Sequence, residues 1–124
     1  MSIAFFDSVL NNGDPITATD AAPNTTAPEA RRIYTALGEQ GNAPGTRTIH
    51  LHATFVAGTT PSFDGQLWYR DRNSGLWLAI GSAITTLNNT AQSVAGVPDN
   101  AEVFFQVTAI NGAPTSGIPY LYAA

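Results

Sequence analysis

The sequence predicts an all-β fold, an antiparallel β-sandwich with an extended N-terminal arm. From Thr48 onward, short β-prone segments recur at regular spacing, separated by glycine, proline and asparagine. No segment there shows clear helical periodicity. The first thirty residues differ, because NNGDPITATDAAPNTTAPEA contains three prolines and few large apolar side chains. We therefore expect two parts, an arm over residues 1–30 and a sandwich domain over residues 31–124.

The arm starts with a short apolar stretch that includes Phe5 and Phe6. The polar stretch after it has too little apolar surface to offset the entropy that is lost when a chain becomes ordered. We expect the arm to become ordered only against another surface. Phe5 and Phe6 are the predicted anchors.

Residues 28–38, PEARRIYTALG, fit two structures. A helix is favoured by Pro28 in a first turn, by the apolar spacing and by Gly38 at the end. A strand is favoured by the alternation that runs from Ile33 to Leu37. We favour the strand because everything downstream is β-prone.

The downstream strands are predicted from alternation of apolar and polar side chains and from the turn residues between them. Residues 57–65, AGTTPSFDG, are predicted to form a loop. Asn73-Ser74-Gly75 forms a hairpin turn, and Asn88-Asn89 breaks the segment in which it lies. The predicted strands lie in residues 48–56, 66–71, 76–80, 83–95 (as short pieces), 102–110 and 118–122.

Two segments resemble fibronectin type III and related immunoglobulin-like sandwiches. GVPDNAEVFFQVTAINGAPTSG is similar to their E–F–G region, where a Leu-x-Pro turn precedes an aromatic-rich strand, and LWYRDRNSGLWLAIG is similar to their C–C′ hairpin. The resemblance covers roughly residues 48–124 and implies an immunoglobulin-like sandwich, a fold used mostly by adhesive or structural modules. The chain departs from the family at the tyrosine corner, where Val103 and Phe104 stand instead of a tyrosine.

The two tryptophans lie in one predicted hairpin. If its loop has an even number of residues, Tyr69 faces an aliphatic residue of the return strand, and Trp68, Arg70 and Trp77 share the opposite face. We expect the aliphatic face, which includes Leu76, Leu78 and Ile80, to be the core. The other face has two interpretations: a solvent face partly covered by the arm or a loop, or a contact surface with Arg70 placed for cation–π stacking.

His50 and His52 lie on one side of a strand, a spacing that suits metal binding. Two ligands do not make a site, and a third would have to come across strands from Asp64 or Glu102. We predict no metal and no cofactor. A metal-dependent enzyme of cupin type that uses the two histidines stays open as an alternative.

The sequence predicts no enzyme and no catalytic residues. It contains no G-x-S-x-G motif and no phosphate-binding glycine motif. The carboxylates mostly fall at turns or strand starts, where such groups cap and solubilise: Asp64, Asp71, Asp99 and Glu102.

Composition narrows the range of partners. Charged residues make up 11% of the chain, lysine is absent and the net charge is −4. Because the arginines form no basic stripe, we expect no nucleic-acid partner. Cysteine is absent, so we expect no disulfide. No apolar run approaches the roughly 20 residues of a membrane span. The N-terminus lacks the features of a secretory signal.

In size and composition the chain resembles short capsid decoration (cement) proteins and head or tail fibre proteins of tailed phages. The resemblance implies a structural virion protein, made in the host cytoplasm, that binds the outside of a capsid lattice. Its partner would be the major capsid protein or another virion protein, and it would form a homo-oligomer such as a trimer. The predicted contact residues are Phe5, Phe6, Trp68, Arg70 and Trp77. The alternatives are a fibre adhesion component and a carbohydrate-binding module in which Trp68, Trp77 and Tyr69 stack on sugar rings.

Overall fold

The computed structural model describes residues 8–9, 15–23, 32–34, 45–98 and 101–123. These residues form strands and no helix, and every strand pair is antiparallel. The predicted all-β architecture is therefore confirmed. The strands are β1 (Ser8–Val9), β2 (Arg32–Tyr34), β3 (Thr46–Val56), β4 (Ser62–Arg70), β5 (Trp77–Leu87), β6 (Gln92–Pro98), β7 (Glu102–Asn111) and β8 (Ser116–Ala123).

The strands form two sheets, with the orders β1-β8-β3-β6 and β2-β7-β4-β5. Each sheet has three long strands and one short strand at its edge. Alternate side chains of the long strands point between the sheets, as the period of two requires. The fully buried core consists of Ile49, Leu51, Ala53, Phe63, Leu67, Leu87, Val97, Val103, Phe105, Val107 and Leu121.

The predicted loop over residues 57–65 is too long, because β4 already begins at Ser62. Phe63 is fully buried and pairs with Ile110 of β7, so this stretch belongs to the sheet. Gly65 does not break the strand. A Cβ on Gly65 would lie 2.4 Å from the Phe105 ring and 2.3 Å from the Gln106 carbonyl oxygen, so the glycine makes room for the core.

The predicted strand pieces after the hairpin are longer than expected. β5 runs without interruption through Gly81, which has a φ of 76° and lies where β5 has two more residues than β4. A bulge of this kind bends a strand without ending it. The predicted break at Asn88-Asn89 separates β5 from β6.

For the ambiguous segment, the described part is the strand β2, which pairs with β7 and agrees with the favoured alternative. The remainder of residues 28–38 lies outside the described residues.

The two sheets are built around two central pairings. β3 pairs with β6 in one sheet, and β4 pairs with β7 in the other. The last strand, β8, pairs with the other edge of β3.

The described part of the arm packs on the sandwich. Ile16 is buried in the core, and its N–H donates to the Gly117 carbonyl at 2.9 Å. Asp20 exchanges two hydrogen bonds with Val107 of β7: its N–H donates to the carbonyl at 2.8 Å, and its carboxylate accepts from the N–H at 3.0 Å. The expectation that the arm orders only against another molecule is wrong for these residues, because the edges of β7 and β8 supply partners and the core accepts Ile16. The boundary at residue 30 lies outside the described residues.

A tight turn fixes the register of the β4–β5 hairpin. The Asp71 N–H donates to the Leu76 carbonyl, and the Gly75 N–H donates to the Asp71 carbonyl, both at 2.8 Å. The Asp71 carboxylate accepts from the Ser74 hydroxyl at 2.7 Å and from the Ser74 N–H at 3.1 Å. These bonds stabilise the ionised form and lower the pKa of Asp71 below its ordinary value.

Candidate functional site

One side of the sandwich is formed by the two edge strands β5 and β6, which follow each other in the chain. We call this surface, residues 77–98, the β5–β6 side. No Asp, Glu, Lys, Arg or His occurs from Asn73 to Pro98. In the described part of the chain, no strand pairs with the outer edge of either strand.

The exposed residues of β5 and β6 are uncharged and mostly small. Leu78 is 41% exposed, and the other exposed residues of the two strands include Ala79, Ser82, Ala83, Thr85, Ser93 and Ala95. Natural edge strands are usually protected by charged side chains, prolines or bulges. Here the described protection consists of Pro98 and of bulges near the left-handed Gly81 and Gly96. An uncharged edge of this kind is suited to contact with another protein surface.

Two glutamine side chains satisfy part of the backbone of β5. Gln66 donates through Nε2 to the Ile80 carbonyl at 3.0 Å and to the Gly81 carbonyl at 3.3 Å, at the bulge. Gln92 donates to the Thr85 and Thr86 carbonyls at 2.9 and 3.3 Å and so links β6 to β5. The backbone of β5 is thus satisfied in part by these uncharged side chains and in part by the Asp64 carboxylate, which accepts from the Thr86 N–H.

The register of β4 and β5 shows which side chains of the tryptophan hairpin share a face. Trp68 pairs with Ala79 and Arg70 with Trp77, so the two tryptophans and Arg70 share one face of the sheet. Trp68 donates through Nε1 to Oε1 of Gln106 at 2.9 Å. Gln106 in turn donates to the Asp20 carbonyl at 3.3 Å, which ties this face to the described part of the arm.

Trp77 is more deeply buried than a residue that directly contacts a partner protein would be. It is 4% exposed, and its ring packs edge-on against Phe104, with centroids 6.2 Å apart. Its Nε1 has no acceptor among the described residues. A role of Trp77 in partner binding stays a prediction, and with this burial it would act by supporting the face.

The sequence places Arg70 for cation–π stacking, and the structure shows it bound to a backbone carbonyl and to a carboxylate. Its Nε donates to the Gly75 carbonyl at 3.2 Å, and its guanidinium forms an ion pair with Glu102 at 3.4 Å. These contacts fix Arg70 to the turn and to β7. The side chain remains 42% exposed and is accessible to a partner, so its role as a contact residue stays a prediction.

The opposite face of the hairpin is only partly core. Leu67 is fully buried, and Tyr69 and Ile80 pack against the core as predicted. Leu78 and Leu76 are 41% and 40% exposed, which corrects the expectation that they belong to the core. Leu78 lies at the start of the edge strand β5, and Leu76 lies in the turn before it. The facing sheet does not cover these two positions.

The two histidines form cross-strand ring pairs on the outer face of the first sheet. His50 stacks on Tyr122 and His52 on Tyr120, each with ring centroids 4.8 Å apart. In the part of the chain that the structure describes, no three His, Cys, Asp or Glu side chains gather as metal ligands. The arrangement gives no support to the cupin-type alternative.

The predicted carboxylates make structural contacts where they are described. Asp64 accepts hydrogen bonds from the Thr86 N–H and the Asn111 side chain. Glu102 pairs with Arg70, and Asp71 holds the hairpin turn. Asp99, Phe5 and Phe6 lie outside the described residues.

A groove that the sequence did not predict opens beside the connection from β5 to β6. It has a volume of about 500 Å³. Its walls are Ala53, Thr54, Phe55, Thr60, Pro61, Thr86, Asn88 and Asn89. No charged side chain lines it. We call it the Asn88–Asn89 groove.

No described segment is a helix that would be able to cross a membrane. Comparison of the chain with protein-family models, with curated proteins and with solved structures finds no match.

Proposed function

We propose that this chain is a non-catalytic structural protein that assembles with other subunits through its β5–β6 side. The observation that supports the proposal most is the absence of charge from Asn73 to Pro98, a stretch that contains both edge strands on this side. Elsewhere the chain carries nine carboxylates and five arginines. Residues 103–124 are also uncharged, but they form β7 and β8, which lie inside their sheets. The β5–β6 side differs because its uncharged strands are edge strands, which most need protection.

The bulges determine what kind of contact this side makes. Because Gly81 and Gly96 bend their strands, neither edge is a long flat template for a partner strand. The contact would be made mainly by the small exposed side chains, which allow another subunit to approach closely. Trp68 and Arg70 offer a second, smaller contact on the neighbouring face, since Trp and Arg are frequent in interface hot spots.

Within this class, we propose a decoration or cement protein on the outside of a phage capsid, forming a homo-oligomer such as a trimer and binding the major capsid protein or another virion protein. The small size and the lysine-free, weakly charged composition support this. A fibre component would show the same features. Phe5 and Phe6 remain the proposed anchors of the arm.

The immunoglobulin likeness is proposed for β3, β4, β6 and β7 alone. The pairing of β3 with β6 and of β4 with β7 supports it, as B–E and C–F pairs, whereas β8 lies beside β3, where strand A lies in that fold. The likeness supports a structural module and identifies no ligand.

The virion role is tested on phage particles that are produced by the host that carries the gene. The particles are purified on a density gradient and analysed by mass spectrometry. We expect the chain in the particles, in a copy number comparable to that of the major capsid protein. Purified full-length chain should also bind particles from which it has been stripped. Particles that lack the chain would contradict the virion role.

A further inference from the structure

The Asn88–Asn89 groove exists because the two neighbouring strands of one sheet end at different levels. The last described pair between β3 and β6 is Leu51 with Gln92, whereas β3 continues to Val56. Beyond that pair, the edge of β3 is flanked by the connection from β5 to β6. The groove is the space between this edge, that connection and the loop that contains Thr60 and Pro61.

The edge of β3 presents backbone hydrogen-bonding groups to the groove. The Ala53 N–H points to this side, because it donates to the Asn88 carbonyl at 2.7 Å. Backbone groups alternate in direction along an antiparallel strand, so the N–H and carbonyl of Phe55 point to the same side. No described strand pairs with Phe55 there. A ligand in the groove therefore meets one backbone donor and one backbone acceptor.

The side chains around the groove are polar but uncharged. The Asn88 Oδ1 accepts from the Thr90 N–H at 2.9 Å, and this bond leaves the amide NH₂ of Asn88 as a donor. Asn89 is exposed and adds a second carboxamide. Three threonines, two asparagines, Phe55 and Pro61 make up most of the lining. Such a surface offers donors, acceptors and apolar patches, but nothing that would pair with a charged ligand.

Two residues of the lining have an unfavourable backbone conformation. Thr60 has a φ of 43° and Thr86 a φ of 56°, in the left-handed region that β-branched residues rarely adopt. The Thr86 N–H is held by the Asp64 carboxylate at 3.0 Å, and its carbonyl accepts from Gln92. Glycine or asparagine would adopt this conformation with less strain. Residues held in strained conformations cluster at ligand sites.

We propose that the Asn88–Asn89 groove binds an uncharged carbohydrate. A sugar has many hydroxyl groups that both donate and accept, as the backbone edge and the carboxamides require, and its apolar C–H face fits Phe55 and Pro61. The volume lies within the roughly 300–1,000 Å³ of small-molecule sites. An extended peptide fits less well, because the free strand edge offers backbone groups of one residue, Phe55.

The test is an amide NMR titration of the full ¹⁵N-labelled chain. The probes are cellobiose, maltose, lactose and N,N′-diacetylchitobiose, with negatively charged sialyllactose as a fifth. We expect at least one neutral disaccharide to shift the amides of Phe55, Thr60 and Asn89. Asn89→Ala should weaken that binding about fivefold, as expected for one lost hydrogen bond. The matched control is Asn73→Ala, an exposed asparagine of the hairpin turn, which should bind like the wild type.

The proposal is overturned if no neutral probe shifts the groove amides at about 10 mM, a concentration that would reveal millimolar affinity. It is also overturned if the shifts map to Trp68 or to the His50–Tyr122 pair, or if Asn73→Ala weakens binding as much as Asn89→Ala.

Discussion

Asp71 shows how a single carboxylate holds the central hairpin. It accepts two hydrogen bonds from Ser74, and its pKa is lowered from the ordinary value of 3.8, chiefly by the bond from the Ser74 hydroxyl. A lowered pKa means that the ionised carboxylate is favoured in the folded state. Its stabilising effect is present above the unfolded pKa and is lost as the pH falls through the folded pKa.

An NMR titration of the side-chain carboxyl group should therefore place the midpoint of Asp71 below its ordinary value. Ser74→Ala removes the strongest cause of the shift and should raise the pKa of Asp71 towards that value. Ser82→Ala, an exposed serine of β5, is the control and should leave the pKa of Asp71 unchanged. A wild-type midpoint at or above the ordinary value would show that the carboxylate does not hold the turn.

Trp77 illustrates what residue patterns leave undetermined. The period of two correctly placed Trp77 on one face with Trp68 and Arg70. How deeply a side chain is buried depends instead on what packs above that face. Trp77 is almost fully buried beside Phe104. The same limit applies to Leu78, which has the parity of a core residue and yet is exposed, because it lies at the end of an edge strand.

At the scale of elements, β3 was predicted from its alternation and β7 from its β-prone composition. The glycines were harder to place. Gly65 and Gly81 suggested loops or breaks, yet both lie within strands. Gly65 makes room for the Phe105 ring, and the carbonyl of Gly81 is satisfied by Gln66. Neither reason is visible before the neighbouring strand is known.

The segment over residues 15–23 belongs energetically to the sandwich. Ile16 is 3% exposed and packs in the core. Ile16→Ala should therefore lower the free energy of unfolding by about 2–4 kcal/mol, the usual cost of truncating a buried isoleucine. Urea denaturation of the full-length chain measures the change.

Thr17→Ala is the matched control, because Thr17 is the exposed neighbour of Ile16. It should change the free energy of unfolding by no more than about 0.5 kcal/mol. If Ile16→Ala behaves like Thr17→Ala, the segment does not close the core, and the original interpretation of a free arm would be restored.

At the scale of the whole molecule, the two sides of the sandwich differ. On the side of β7 and β8, Ile16 and Asp20 form hydrogen bonds with the strands, and the Ile16 side chain packs in the core. On the other side, the edges of β5 and β6 have no described strand beside them. The uncharged run from Asn73 to Pro98 is visible in the sequence, but its meaning depends on the strand order, which shows that the whole run lies along one side. The groove is less predictable still, because it depends on how far β6 extends beside β3.

The most direct test of the account is to place charge on the β5–β6 side. The double variant Ala83→Lys/Ala95→Lys adds two lysines at exposed positions, one on each edge strand. The control Asn73→Lys/Thr108→Lys adds the same charge at exposed positions away from both edges. Exposed substitutions of this kind change stability by about 0.5 kcal/mol or less, so all three proteins should fold.

Their masses in solution are then compared by sedimentation velocity over a range of concentrations. We expect the wild type and the control to form the same oligomer and the edge variant to be a monomer. A monomeric wild type, or an edge variant that assembles as the wild type does, would show that the β5–β6 side is not the assembly surface.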